Sequence, residues 1–148
     1  MTQGLSVTQA ARKVVGEHDH LRGLLAQVEA AFGRSEPHAG SGPDVVAARL
    51  DTLRGPLQAH FDESERARVF ERIQEHAPKH ARTCARLRQE HQSLIRLLDS
   101  LRTASPLERR GPIWPREVRR FVEQLARHEA RETDLLNGAL DESLAAAD

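Results

Sequence analysis

Apolar residues recur at three- and four-residue intervals through four stretches of the chain, and three breaker-rich stretches separate them. The first stretch opens near Ser6, where "SVTQ" has the capping-box pattern, and runs to about Ala31 with Val14, Leu21, Leu25 and Val28 on one face. "GRSEPHAGSGP", Gly33 to Pro43, reads as a loop. A second helix starts after Pro43 with Asp44 near its cap and Leu50, Leu53 and Leu57 inward; its Gly55-Pro56 pair predicts a bend, because proline removes an internal hydrogen bond. A short connection from Glu75 to His80 leads to a third helix with Leu87, Leu94, Leu98 and Leu101 inward. Ala104 to Pro115 reads as a loop, and a fourth helix follows from about Arg116 with Val118, Phe121, Leu125 and Leu135 inward. The tail from Asp141 either extends that helix or frays. Four amphipathic helices with short connections predict an all-α, up-down-up-down four-helix bundle, with residues 1–148 as one domain.

Extended along each helix, every apolar stripe passes through a histidine: His18 before Leu21, His60 after Leu57, His91 before Leu94 and His128 after Leu125. His18 lies about 16 residues from the end of the first helix and His60 about 16 from the start of the second. At the helical rise both sit roughly 24 Å from their shared turn. For His91 and His128 the distance is about 12 residues, or roughly 18 Å. In antiparallel hairpins these depths set His18 beside His60 and His91 beside His128. The halves of the chain also echo one another, "EHDHLRGLL" against "EHQSLIRLL" and "HFDESER" against "HEARETD".

Four inward imidazoles without partners would cost several kcal/mol to desolvate, and once protonated they would repel one another. A metal ion removes both problems, whereas the alternative is a hydrogen-bonded histidine core in a metal-free interaction module. Imidazole with carboxylate and no thiolate suits iron, manganese or zinc. The carboxylate is Glu132, one turn after His128 and on the same side of its helix. With further carboxylates such a site holds two iron ions. The histidine-first spacing differs from the Glu-x-x-His pairs of ferritin-like bundles.

Composition narrows the function classes. Twenty-two basic residues against 22 acidic ones give no general field for nucleic acid. A single cysteine, Cys84, excludes an intrachain disulfide and Cys-rich zinc sites. No apolar run approaches the length of a membrane span and the N-terminus has no signal-like core, so a cytoplasmic protein is expected. One bundle accounts for the apolar residues, which predicts a monomer. His20, His38, His76 and His80 fall off the stripes and read as surface residues, Cys84 as a small buried hydrophobe, and Trp114 as a plug for one end of the bundle. Glu17 and Glu90, each just before a stripe histidine, read either as acceptors for a ligand N–H or, more commonly for such acids, as helix surface.

The ordered set "EHDHL" around His18, "HFDESE" from His60, "EHQSL" around His91 and "HEARE" from His128 resembles a hemerythrin-like, HHE cation-binding domain over nearly the whole chain. The resemblance implies a non-haem di-iron centre with His18, His60, His91 and His128 as terminal ligands and Glu132 as a bridge. It further implies a small diatomic ligand such as oxygen, with sensing, peroxide or nitric oxide chemistry as related roles. The family pattern has glutamate four residues after the second-helix histidine, where this chain has Ser64. Either Glu63 or Glu65 replaces that acid, or none does and the site holds one metal or two weakly. A bend at Gly55-Pro56 would favour Glu65. Leu87 stands where oxygen carriers of the family have another imidazole, which leaves a more open coordination sphere.

Overall fold

The computed structural model describes residues 7–32 and 42–147, and among these it holds six α-helices, one 3₁₀ turn and no strand. Helix α1 is Val7–Ala31, α2 Pro43–Arg66, α3 Val69–His76, α4 Ala81–Arg102, α5 Pro106–Arg110 and α6 Ile113–Ala147; the 3₁₀ turn is Pro78–His80. The four long helices, α1, α2, α4 and α6, were expected; the two short ones were not. The capping pattern at Ser6 and the loop from Gly33 to residue 41 lie outside the described residues.

Helix α2 starts on Pro43, whose missing N–H is unneeded in a first turn, with Asp44 beside it to complement the helix dipole. It runs unbroken through Gly55 and Pro56 to Arg66. Periodicity carries this helix on to the connection at Glu75, but the structure ends it sooner. Arg68 takes a left-handed conformation (φ 52°, ψ 39°) and redirects the chain into α3. Val69, Phe70 and Ile73 are then buried, so the turn is held by the apolar face that follows it rather than by a glycine. At the other end Ser105 accepts a hydrogen bond from the Glu108 amide at 3.2 Å and starts α5. Helix α6 begins three residues earlier than Arg116, with Pro115 in its first turn, and continues to Ala147. Trp114 is buried there and donates its indole N–H to the Leu101 carbonyl at 3.0 Å, closing that end of the bundle.

Helix α1 packs against α2 and α6, and α4 against the same two. The apolar interior falls into two parts. The larger unites Leu21, Leu25, Leu50, Leu53, Leu57, Leu94, Leu98, Phe121 and Leu125 from the four long helices. The smaller joins Val14, Cys84, Leu87, Leu135 and Leu136 to Val69, Phe70 and Ile73 of α3. The stripe positions between them are the histidines. No helix among the described residues is long and apolar enough to cross a membrane.

Candidate metal centre

Helix α1 contributes His18, α2 His60, α4 His91, and α6 both His128 and Glu132; all five side chains are buried, Glu132 and His18 at 0% exposure. The structure brings them into one cluster. Oε1 of Glu132 stands 3.3 Å from Nε2 of His18 and 3.3 Å from Nε2 of His60. Oε2 stands 3.3 Å from Nε2 of His91 and 3.0 Å from Nε2 of His128. The two halves are near copies: the His18 and His60 rings meet edge-on at 5.0 Å and 65°, the His91 and His128 rings at 4.8 Å and 67°. The internal repeat in the sequence thus becomes a pseudo-twofold arrangement around one carboxylate.

The outer ring nitrogens are held as well. His60 Nδ1 meets Glu17 at 2.6 Å, His128 Nδ1 meets Glu90 at 2.7 Å, and His18 Nδ1 meets the Thr133 hydroxyl at 2.7 Å. An ionised carboxylate can only accept, so Glu17 and Glu90 fix the proton on Nδ1 and turn the Nε2 lone pair inward. Burial opposes ionisation of Glu90, but the His128 hydrogen bond, with Arg131 and Arg86 nearby, outweighs it and holds the carboxyl below its usual range. His91 Nδ1 has no hydrogen-bond partner. Its ring lies flat on Phe61, centroids 3.9 Å apart, at the floor of a cleft of about 510 Å³ between α2 and α4.

Nε2 of His18 and of His91 hydrogen-bonds to Glu132 at 3.3 Å, but on His60 and His128, whose protons sit on Nδ1, the inward lone pairs face carboxylate oxygens and repel them unless a cation lies between. Nε2 of His60 and of His128 in fact make no directed hydrogen bond. Burial depresses the pKa of His60, yet Glu132 on one side and Glu17 on the other raise it overall, a sign of how strongly the position attracts positive charge. Burial lowers that of His91, and the other imidazoles add to the effect against Glu132, so protons cannot satisfy all four rings. Burial alone would push Glu132 up, but the four imidazoles hold it well below the usual carboxylate range. A metal ion resolves every one of these conflicts, and the donor set fits metal cations. Two groups of three, His18 with His60 and Glu132, and His91 with His128 and Glu132, have ligand atoms all within 4.8 Å of one another.

The two acids proposed to replace the one missing at Ser64 do not join this cluster. Glu63 turns outward to Lys13 at 2.8 Å and Arg66 at 3.3 Å. Glu65 pairs with Arg88 through two bonds of 3.1 Å. Helix α2 stays helical through Gly55-Pro56, and the ion pairs with Lys13, Arg66 and Arg88 keep both carboxylates on its outer side. Ser64 does face the core, at 1% exposure, but its hydroxyl donates to the His60 carbonyl at 3.1 Å. Sequence reasoning missed Thr133 and underrated Glu17 and Glu90, although the paired "EH" dipeptides were a usable signal. It also missed Glu129, buried at 4% exposure with neither carboxylate oxygen hydrogen-bonded; burial pushes its pKa up to about 7. His20 and His76 are exposed, as expected, and His80 is half-buried; His38 lies outside the described residues.

A bundle of four long helices whose interior is divided by a buried layer of four imidazoles and one carboxylate belongs to the class of helical histidine–carboxylate proteins. More narrowly, the chain is a member of the hemerythrin family: the model of the hemerythrin HHE cation binding domain matches residues 9–140. No curated protein and no solved structure matches it.

Proposed function

We propose that this chain is a non-haem iron protein that holds two ions, with Glu132 between them, and binds or senses oxygen or a related small oxidant. The observation that carries the reading is the division of one buried carboxylate between two imidazole pairs, two Nε2 atoms to each oxygen. His18 and His60 would hold one ion and His91 and His128 the other, in a bundle whose long helices alternate in direction. Iron supplies reversible one-electron chemistry and positions open to a small ligand. Two imidazoles and one carboxylate oxygen per ion leave such positions, because neither Ser64 nor Leu87 adds a donor. Glu17, Glu90 and Thr133 orient the rings. Leu21, Leu57, Leu94 and Leu125, all buried, wall the site with apolar surface that suits a diatomic molecule better than a large polar one.

The cleft that ends at His91 favours a second reading on the same site, in which peroxide or nitric oxide is consumed rather than sensed, since it gives such molecules a way in. The large apolar residues are mostly enclosed among the long helices, Leu107 and Ile113 apart, which supports a monomer.

Metal content per chain, measured on protein from iron-supplemented cells with its visible spectrum, tests the proposal. About two irons, reduced sharply in a Glu132→Ala variant, is the expected result. One zinc or one iron would remove the two-ion reading, and no metal after anaerobic reconstitution would leave the metal-free interaction module. Steady-state peroxide turnover that disappears in His128→Ala would favour the consuming enzyme.

A further inference from the structure

Position 64 leaves the centre one carboxylate short of its family pattern, and the pseudo-twofold arrangement shows where another is stored. The repeat aligns "HFDES" of α2 with "HEARE" of α6, so Ser64 corresponds to Glu132 and Phe61 to Glu129. Phe61 follows His60 and turns inward. It stacks on His91 at 3.9 Å, meets His128 edge-on at 5.8 Å and lies 5.8 Å from His60. Under the same operation Glu129 belongs beside His18, with His60 and His128 next to it. Burial acts on it most, and the charges that act on it are those of His60, Glu132, His128 and Arg22, two of the four imidazoles and the shared carboxylate of the centre among them.

Glu129 is 4% exposed, and neither oxygen has a hydrogen-bond partner. A buried carboxylate with no donor is a rare and costly arrangement unless a cation or a proton completes it. The salt bridges that neutralise other acids on these helices do not reach it: Glu63 has Lys13, Glu65 has Arg88 and Glu90 has Arg131. On the opposite side of the centre the matching place is filled by an aromatic ring, which offers a cation nothing but a wall.

We propose that Glu129 is the second carboxylate ligand of the centre, binding the metal ion on the His18–His60 side in place of the acid absent at Ser64. This rests on the metal reading above. Its oxygens are not among the atoms already gathered in the two three-residue groups, so binding requires a change of rotamer. No hydrogen bond holds the side chain back. The consequence is two unlike sites: two imidazoles and two carboxylates on the His18–His60 side, and two imidazoles, the shared carboxylate and the Phe61 wall on the other. The side with the extra negative charge should bind a divalent cation more tightly.

Titration of the chelator-stripped full chain with Co(II) alone, followed by visible absorption, tests this in wild type, E129Q, E129L, His60→Ala and His91→Ala. The expected result is that E129Q and E129L weaken, by tenfold or more, the same equivalent that His60→Ala removes, and alter its absorption bands. The equivalent removed by His91→Ala stays as in wild type. The metal-free E129L protein should also melt higher than wild type, because a buried carboxyl group with no hydrogen-bond partner is gone, while the metal-loaded one gains less from Co(II). If E129L changes the metal-free melting temperature but binds both equivalents with wild-type bands, Glu129 is a structural residue and the inference is overturned while the metal reading stands. Weakening of the His91 equivalent instead would overturn it too. No Co(II) uptake by wild type would overturn both.

Discussion

Glu17 and Glu90 show how a side chain at the rim can govern the centre of the bundle. Each accepts from the Nδ1 of a histidine on the neighbouring helix, at 2.6 Å and 2.7 Å, and each is the residue before a histidine of the cluster. Without that acceptor the ring is free to rotate or to carry its proton on Nε2, where a cation would have to displace it. Glu90→Ala should therefore weaken metal binding by about 10- to 100-fold, read by competition against a chelator of known affinity. The helix itself should persist, since Glu90 is partly exposed and its main chain is unaffected. Ser64 carries the opposite lesson. It occupies an inward position beside the site and spends its hydroxyl on the His60 carbonyl one turn back, which is what a serine inside a helix does when no better partner is offered.

The elements are governed by simpler forces, and α2 shows them well. It accepts Gly55 and Pro56 in mid-helix because the flanking turns bury Leu50, Leu53, Leu57 and Phe61, and their packing outweighs a lost hydrogen bond. Glycine there contributes no packing: nothing lies within 4 Å of where a Cβ would stand. Gly55→Ala should raise stability by about 0.5–1 kcal/mol through the entropy of the unfolded chain, seen as a higher denaturant midpoint with an unchanged slope. The end of α2 is set from outside. On a straight continuation Val69, Phe70 and Ile73 would all lie off the inward stripe of Leu53, Leu57 and Ser64, whereas the turn through Arg68 buries all three in one cluster with Leu87, Leu135 and Leu136. Phe70 also comes to 5.7 Å from the His91 ring, so the same turn encloses one side of the cluster.

For the whole molecule the consequence is a bundle held by two apolar regions with a layer between them that is satisfied only when positive charge is supplied. A ligand that binds the folded chain alone adds stability by mass action, about 2.7 kcal/mol at a hundred times its dissociation constant. For a chain of this size that is roughly 5–10 °C in melting temperature. Chelation should lower the transition by that amount, re-addition of metal should restore it, and the Glu132→Ala variant, which lacks the carboxylate common to both groups, should show little of this shift. A wild-type transition indifferent to chelator would point to the metal-free interaction module, the one reading in which the imidazoles serve the core alone.

What the sequence determined by itself is everything that follows from periodicity: four long helices, and on each an apolar stripe that passes through His18, His60, His91 or His128. Helical geometry is local, so a stripe fixes which side chains face inward without knowledge of the partner helix. Glu132 followed from the same rule, one turn from His128. The tertiary structure alone decided what lies across from each face. Lys13 and Arg88, 50 and 23 residues from the acids they pair with, drew Glu63 and Glu65 to the surface. Burial by packing between helices made Glu129, an unremarked acid next to a histidine, into an unpartnered core carboxylate. The break at Arg68 had no glycine or proline to announce it. Each of these rests on contacts between residues far apart in the chain, which local spacing does not encode.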